Sequence, residues 1–307
     1  MNLDRVHTLA DLDGWSFPGT ALAVLGHPVA HSISPAMHNA ALAHMARADE
    51  KYSTWRYFKF DIAPGDLAAA LPWFHARGFL GLNLTIPHKV LAVELIEAVD
   101  PAAAESGAVN TLLRTPTGYR GFNTDGYGVT RAIAEELGCC VADRPVILLG
   151  AGGAARAAAV ACLRAGCPTL WIGNRTAANL ERLLATLAPV ARAASRGVHG
   201  FDLGDPPAGL PADAIVINAT SAGLKPGDPP PIDVARLPGT PLIYDMIYNP
   251  PETPLMCAAR ARGLTAANGL AMLVHQGVRA LEIWSESAAP ADVMHAACRA
   301  ALGRSHG

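Results

Sequence analysis

Short apolar runs alternate with stretches of helical period along most of the chain. The spacing predicts strands over residues 21–26, 52–60 and 81–86, separated by helices over 35–48, 64–77 and 88–99. Ser34 reads as the N-cap of the first helix, with Pro35 at its first position. Repeated β-α units of this kind imply a mainly parallel sheet covered on both faces. A hairpin is expected next, because residues 111–114 and 119–122 flank the turn-forming Thr115-Pro116-Thr117-Gly118. A helix over about 129–137 then ends at Gly138.

Beyond that point a second β-α series begins. Residues 146–149 form a buried-strand run that leads straight into Gly150-Ala151-Gly152-Gly153-Ala154 and an alanine-rich helix. Strands over 169–172, 214–217 and 242–246 follow, with a helix over 177–187 after the first of them and the proline-rich loop 226–231 after the second. This order outlines a nucleotide-binding domain, and the pattern is helical again from Leu270 onward. The fold class is therefore α/β with two domains, an N-terminal mainly parallel α/β domain and a Rossmann-like domain.

Composition narrows the function. A length of 307 residues suits two domains, and 24 basic against 26 acidic residues, scattered singly, argue against nucleic acid or an anionic membrane as partner. The N-terminal stretch Met1 to His7 resembles no secretory signal, and Arg156 and Arg164 interrupt the most apolar window, so a soluble cytoplasmic chain is expected. The six cysteines show no paired metal spacing and read as reduced, mostly buried thiols. His27, His31, His38 and His44 read as loop and helix-surface residues, and no metal site is expected.

The glycine-rich turn gains force from its place between a strand and a helix. Gly150 and Gly152 would let backbone N–H groups approach a pyrophosphate, which the positive helix end also attracts. The following strand ends in Gly173-Asn174-Arg175-Thr176 with no acid to bind ribose hydroxyls, and Arg175 is suited to a 2′-phosphate, so NADP is expected over NAD. Polar residues also mark the strand ends of the first domain. Ser32 and Ser34 are hydroxyl donors suited to a carboxylate near a helix start, and Asn83, Thr85, Lys89, Asn110, Asp125, Tyr248 and Gln276 remain as further polar candidates. Taken singly, each also has a plain structural role such as a cap or a solvated lysine.

Nine motifs in order make the chain resemble the shikimate dehydrogenase family. They are Ser-x-Ser-Pro at 32–35, Asn-x-Thr-x-Pro-x-Lys at 83–89, Ala-Val-Asn-Thr at 108–111, Asn-Thr-Asp-Gly at 123–126, Gly-Ala-Gly-Gly-Ala at 150–154, Asn-Arg-Thr at 174–176, Asn-Ala-Thr-Ser at 218–221, Tyr-Asp-Met-x-Tyr at 244–248 and Gly-Leu-x-Met-Leu-Val-x-Gln at 269–276. The resemblance implies reversible NADPH-dependent reduction of 3-dehydroshikimate to shikimate, on the route to aromatic amino acids. It implies Lys89 and Asp125 as the catalytic pair, Ser32, Ser34 and Tyr248 around the substrate carboxylate, and Thr85, Asn110 and Gln276 on the ring hydroxyls, with Asn83 in support. It places NADP against Gly150, Ala151, Gly152, Gly153, Ala154, Asn174, Arg175, Thr176, Met246, Gly269 and Met272.

One departure concerns the phosphate clamp. Many NADP-using members carry a second arginine three residues after Thr176, where this chain has Asn179, with Arg182 one turn further. The expected organisation is a substrate domain over 1–124 completed by helices over 269–307, and a Rossmann-like NADP domain over 125–268, around a cleft. A monomer or homodimer is expected. Two other readings stay open, a quinate/shikimate dehydrogenase using NAD or NADP, and a ligand-sensing regulator of the same fold. Against the regulator, both Lys89 and Asp125 are present and no DNA-binding module is added.

Overall fold

In the computed structural model, which describes residues 5–225 and 227–304, the chain divides into two compact units. One takes the residues up to Thr124 together with those from Gln276 onward, and the other is Asp125–His275. Residues 1–4 of the N-terminal stretch and Pro226 of the proline-rich loop lie outside the described residues.

The first unit contains β1 (Val6–Thr8), β2 (Ala21–Gly26), α1 (Ser34–Met45), β3 (Arg56–Asp61), α2 (Leu67–Ala76), β4 (Phe79–Leu84), α3 (His88–Leu91), β5 (Ala98–Val99), α4 (Pro101–Ser106), β6 (Thr111–Arg114) and β7 (Tyr119–Phe122). Its sheet runs in the order β1-β3-β2-β4-β6-β7-β5. The first four strands are parallel, while β6 is antiparallel to both β4 and β7. Side chains alternate across it. Ala21, Ala23, Leu25, Phe58, Phe60 and Leu82 join a core closed by Leu71 and Phe74 of α2. Their neighbours Tyr57, Lys59 and Asn83 therefore occupy the opposite face, where α1 packs on β3.

Several local expectations change here. Residues 50–54 form a 3₁₀ turn rather than the start of a strand, because the Asp49 carboxylate accepts from the Lys51 N–H and the Tyr52 hydroxyl is anchored on Ser287 at 3.0 Å. The helix expected over 88–99 is two short turns followed by β5. The Glu97 carboxylate bonds Thr115 and Thr117 in the hairpin turn, which draws this segment alongside β7. Ser34 does not cap α1, since Ile33 holds that position and the Ser34 N–H donates to the Ser32 hydroxyl.

The second unit contains α5 (Asp125–Leu137), β8 (Val146–Leu149), α6 (Gly153–Arg164), β9 (Thr169–Asn174), α7 (Ala177–Ala194), β10 (Gly197–Asp202), β11 (Ile215–Asn218), β12 (Leu242–Asp245), α8 (Pro254–Ala261) and β13 (Ala266–Ala267). α9 (Leu270–Ser285) carries the boundary between units at His275, and α10 (Ala291–Arg304) packs on α1. The second sheet is wholly parallel, in the order β10-β9-β8-β11-β12-β13. Val146 and Leu148 enter one apolar cluster, and Ile147 and Leu149 enter another, so both faces of β8 are buried. β10 escaped sequence reading because it is an edge strand with mostly exposed residues and two glycines, which removes any apolar signal.

His38 is a correction, for it is no surface residue. It is fully buried, stacked on Tyr57 with centroids 4.2 Å apart, and neither ring nitrogen has a hydrogen-bond partner. Burial lowers its pKa to about 3 from the ordinary 6.5. The unfolded chain therefore takes up a proton near pH 6.5 that the folded chain refuses until about pH 3. Stability should fall as pH drops below about 6.5, by up to roughly 1.4 kcal/mol per pH unit from this residue alone. Urea midpoints measured at pH 7.5 and 5 should show the loss, and His38→Phe should flatten it. An equally steep loss in the variant would contradict the assignment.

The cysteines are free, as expected, but only Cys162, Cys167 and Cys298 are buried; Cys140 and Cys257 are exposed and Cys139 is half-buried.

Candidate active site

In the first unit Asn83, Asn110 and Gln276 form a hydrogen-bonded set near the end of the parallel strand β4, where α/β sheets place ligands, and Ser32 and Ser34 are bonded to each other. The Ser34 N–H donates to the Ser32 hydroxyl oxygen at 3.3 Å, holding both serines at the start of α1. Helix N–H groups there give the local potential a positive sign. Asn83 alternates with the core residues Leu82 and Leu84, so its amide faces away from the core. Its Nδ2 donates to the Asn110 carbonyl at 3.1 Å and to the Thr111 hydroxyl at 3.0 Å. Asn110 Nδ2 in turn donates to Thr124 Oγ1 at 2.9 Å and to Gln276 Oε1 at 3.4 Å.

Thr85 and Lys89 are fixed in place through the backbone. The Thr85 N–H donates to the Leu25 carbonyl at 2.9 Å, and its own carbonyl accepts from His88 at 2.8 Å. The Val109 N–H donates to the Lys89 carbonyl at 2.8 Å, which sets the lysine beside the strand that begins after Asn110. The neighbouring His88 is fully buried and bonds the Ile62 carbonyl through Nε2 at 2.9 Å. Lys89 itself is half-buried. His27 Nδ1 and Asp61 are paired at 2.5 Å and fasten the loop that carries the serines.

Asp125 and Tyr248 belong to the second unit. Asp125 is the first residue of α5 and is buried, and Tyr248 lies three residues past β12 and is half-buried. Beneath Met246 and Tyr248 runs a buried polar network that sequence reading left out. The Asp245 carboxylate accepts from Asn218 Nδ2 at 2.9 Å, the Ile247 N–H at 3.0 Å and the Thr253 hydroxyl at 2.7 Å. Burial raises the Asp245 pKa despite these bonds.

The glycine-rich turn has the shape a dinucleotide needs. Gly150 has φ +113°, and a Cβ there would lie 3.0 Å from the Ala219 carbonyl, so only glycine suits the position. Gly152 precedes α6, is exposed, and would meet nothing within 4 Å if it carried a Cβ, which leaves room for phosphates over the helix N-terminus. At the end of β9, Arg175 and Thr176 are exposed and Asn174 Nδ2 is bonded to the Thr176 carbonyl at 2.9 Å. Gly269 abuts Met246 so closely that a Cβ would lie 2.0 Å from its carbonyl oxygen. Met272 is buried in the core of this unit.

At the departure noted in the sequence, Arg182 folds back along α7. Its guanidinium donates to the Asn179 side chain and, through Nε, to the Ala178 carbonyl at 3.2 Å. Burial lowers the pKa of Arg156 on α6, and the Arg182 charge lies near enough to add to that shift. An acid does stand opposite Asn174, on the adjacent strand. Asp202 pairs in register with it, but its carboxylate accepts from the Gly204 N–H at 2.9 Å within its own turn.

Tyr57, Thr111 and Thr124 also belong to the substrate-side set, and none was singled out from sequence. The signal for Tyr57 was its alternation with Phe58 and Phe60, which puts a hydroxyl on the same sheet face as Asn83.

Comparison with known proteins places this architecture. The profile of the shikimate dehydrogenase substrate binding domain matches residues 24–112, and that of the shikimate 5′-dehydrogenase C-terminal domain matches residues 269–299. A shikimate dehydrogenase (NADP(+)) of Moorella thermoacetica is 43% identical over 293 residues, covering 93% of this chain and 95% of its own. The crystal structure of shikimate 5-dehydrogenase from Thermus thermophilus in complex with NADP(H) and shikimate has a TM-score of 0.77 at 34% identity, covering 92% of this chain and 100% of that one. A quinate dehydrogenase from Corynebacterium glutamicum in complex with NAD also has a TM-score of 0.77, at 29% identity, over 92% and 99% of the two chains. On sequence and fold together, the chain belongs to the shikimate dehydrogenase family.

Proposed function

We propose that this chain catalyses the reversible NADPH-dependent reduction of 3-dehydroshikimate to shikimate, with Lys89 and Asp125 as its catalytic pair. The observation that carries the reading is the hydrogen-bonded set Asn83, Asn110 and Gln276, with Lys89 fastened to it through Val109. Ser32 and Ser34, with Tyr248, hold the carboxylate, while Thr85, Asn110 and Gln276 bind the ring hydroxyls and Asn83 supports them.

NADPH, when bound, supplies the hydride. Gly150, Ala151, Gly152, Gly153 and Ala154 would receive its pyrophosphate, Asn174, Arg175 and Thr176 its adenosine phosphate, and Met246, Gly269 and Met272 its nicotinamide end. Negative charge grows on the ketone oxygen as the carbon is reduced. The Lys89 ammonium stabilises that charge and gives the oxygen a proton. Asp125 orients the ammonium, and in the oxidising direction the proton returns to the pair.

The protein works in the cytoplasm as a monomer or homodimer on a small-molecule substrate. No helix among the described residues is long and apolar enough to cross a membrane.

Because a quinate dehydrogenase shares the fold, the substrate is decided by assay. Steady-state kinetics with shikimate or quinate, each with NADP or NAD, should give the highest kcat/KM for shikimate with NADP. In the same assay Arg175→Ala should raise KM for NADP selectively, on the order of 10-fold or more, because a charge-assisted bond to the phosphate is lost. A preference for quinate with NAD would overturn the substrate reading. Saturable shikimate binding without any change in nicotinamide absorbance would favour the sensor.

A further inference from the structure

Lys59 takes no part in the chemistry above, yet it is a buried lysine beside the loop that carries both serines. It lies on β3 and is only 9% exposed. Phe58 and Phe60 on either side of it enter the apolar core, so Lys59 points to the other face of the sheet, the face of Asn83. Its neighbours in register are Val6 of β1 and Val24 of β2, and Val24 is in turn the neighbour of Asn83 on β4. Aliphatic residues thus flank the stem, while Nζ donates to the Ala30 carbonyl at 3.2 Å. No carboxylate among the described residues pairs with this ammonium. Asp61, two residues on and on the same face, is taken by His27 and accepts from the Val29 N–H at 3.4 Å.

A buried ammonium without an acid is costly, because a carbonyl dipole replaces only part of the hydration it has lost. Proteins break local rules of this kind at functional sites. The position of Lys59 says what its charge serves. Ala30 is the second residue of a turn over 29–32, closed by a 3.0 Å bond from the Ser32 N–H to the Val29 carbonyl. Ser32 Oγ then accepts from the Ser34 N–H at 3.3 Å. Asp61 and Lys59 therefore hold this turn at two successive residues, and Lys59 does so two residues before Ser32. The serines offer hydroxyl donors and the start of α1 offers a partial positive charge. Lys59 adds a full one.

We propose that Lys59 is a positioning residue for the serine loop, its ammonium holding the turn over 29–32 in the binding shape and its unmatched charge favouring an anion there. The proposal rests on the reading of Ser32 and Ser34 as carboxylate ligands. Lys59 touches no reacting atom, so its removal acts on substrate binding rather than on turnover.

Lys59→Met keeps a long stem between Val6 and Val24 and deletes the ammonium, whereas Lys59→Arg keeps the charge. Steady-state kinetics with shikimate and NADP should be run on the wild type, both variants, Ser32→Ala and the Lys59→Met, Ser32→Ala double variant, with melting curves for each. The expected result is a rise in KM for shikimate of on the order of 10-fold in Lys59→Met, as for loss of a charge-assisted bond. Its kcat should stay within about 3-fold and its KM for NADP should not change. Lys59→Arg should hold KM for shikimate within about 3-fold of the wild type. The double variant should lose less than the product of the single losses, because both changes act on one turn. The melting temperature of Lys59→Met should equal or exceed that of the wild type, since a desolvated charge has been removed. A raised KM in Ser32→Ala alongside an unchanged KM in Lys59→Met overturns the proposal and leaves the site reading standing. An unchanged KM in Ser32→Ala overturns the carboxylate reading and the proposal with it. An equal rise in Lys59→Met and Lys59→Arg overturns the role of the charge. A parallel loss in kcat, both KM values and melting temperature would make Lys59 purely structural, which also overturns the proposal.

Discussion

Replacing Lys89 with alanine is expected to lower kcat for shikimate oxidation by on the order of 10² to 10⁴-fold while KM for shikimate changes little. The lysine is asked to do two things at one oxygen, to stabilise developing negative charge and to move a proton. Alanine can do neither. The backbone around it is held by other groups. The Lys89 carbonyl is held by the Val109 N–H at 2.8 Å, and the buried neighbour His88 keeps its bond to Ile62. A half-buried ammonium on a short helix is also removed without opening a core cavity. Circular dichroism and NADP binding should therefore match the wild type. Near-normal turnover would remove Lys89 from the chemistry, and loss of NADP binding would show that the variant had damaged more than one group.

The largest stability effect is expected at Asp245. It is fully buried at the end of β12 and accepts three hydrogen bonds, from Asn218, the Ile247 N–H and Thr253. Asp245→Ala deletes the acceptor and leaves three buried donors without this partner. Each stranded buried group costs about 1 to 3 kcal/mol, so a total loss of at least about 3 kcal/mol is expected. That corresponds to a fall in melting temperature of roughly 6 to 12 °C for a unit of this size. Asn218 also bonds the Thr220 N–H and hydroxyl, so the damage should spread along the strand ends that carry Met246. KM for NADP should rise in the same variant. A melting temperature within about 2 °C of the wild type, equivalent to about 1 kcal/mol or less, would contradict this account of the network.

The sheets were legible where apolar runs were unbroken. Residues 146–149 and 111–114 emerged as strands with the same limits that the sequence suggests, because each is bounded by turn residues on both sides. Segments whose structure depends on distant partners were not legible. Residues 98–99 look like the end of a helix until Glu97 is seen bound to Thr115 and Thr117. Ser34 carries every local mark of an N-cap, yet Ile33 takes that position and Ser34 is the first residue of α1.

The candidate site divides along similar lines. Lys89, Asn110 and Gln276 stood out because polar groups at strand ends and on one helix face are conspicuous in an apolar chain. Tyr57 and Trp284 did not, since aromatic residues in buried strands and helices look like ordinary core, and His38 read as a surface residue. The Tyr57 hydroxyl acquires meaning only once Asn83 is known to face it.

The most direct test is a crystal structure of the chain with shikimate and NADP⁺ bound. The account predicts the Lys89 Nζ within about 2.6 to 3.2 Å of the hydroxyl oxygen on the carbon to be oxidised, with the Asp125 carboxylate in contact with the same ammonium. A complex in which that side chain points away from the ligand, with another group on the oxygen, would contradict it.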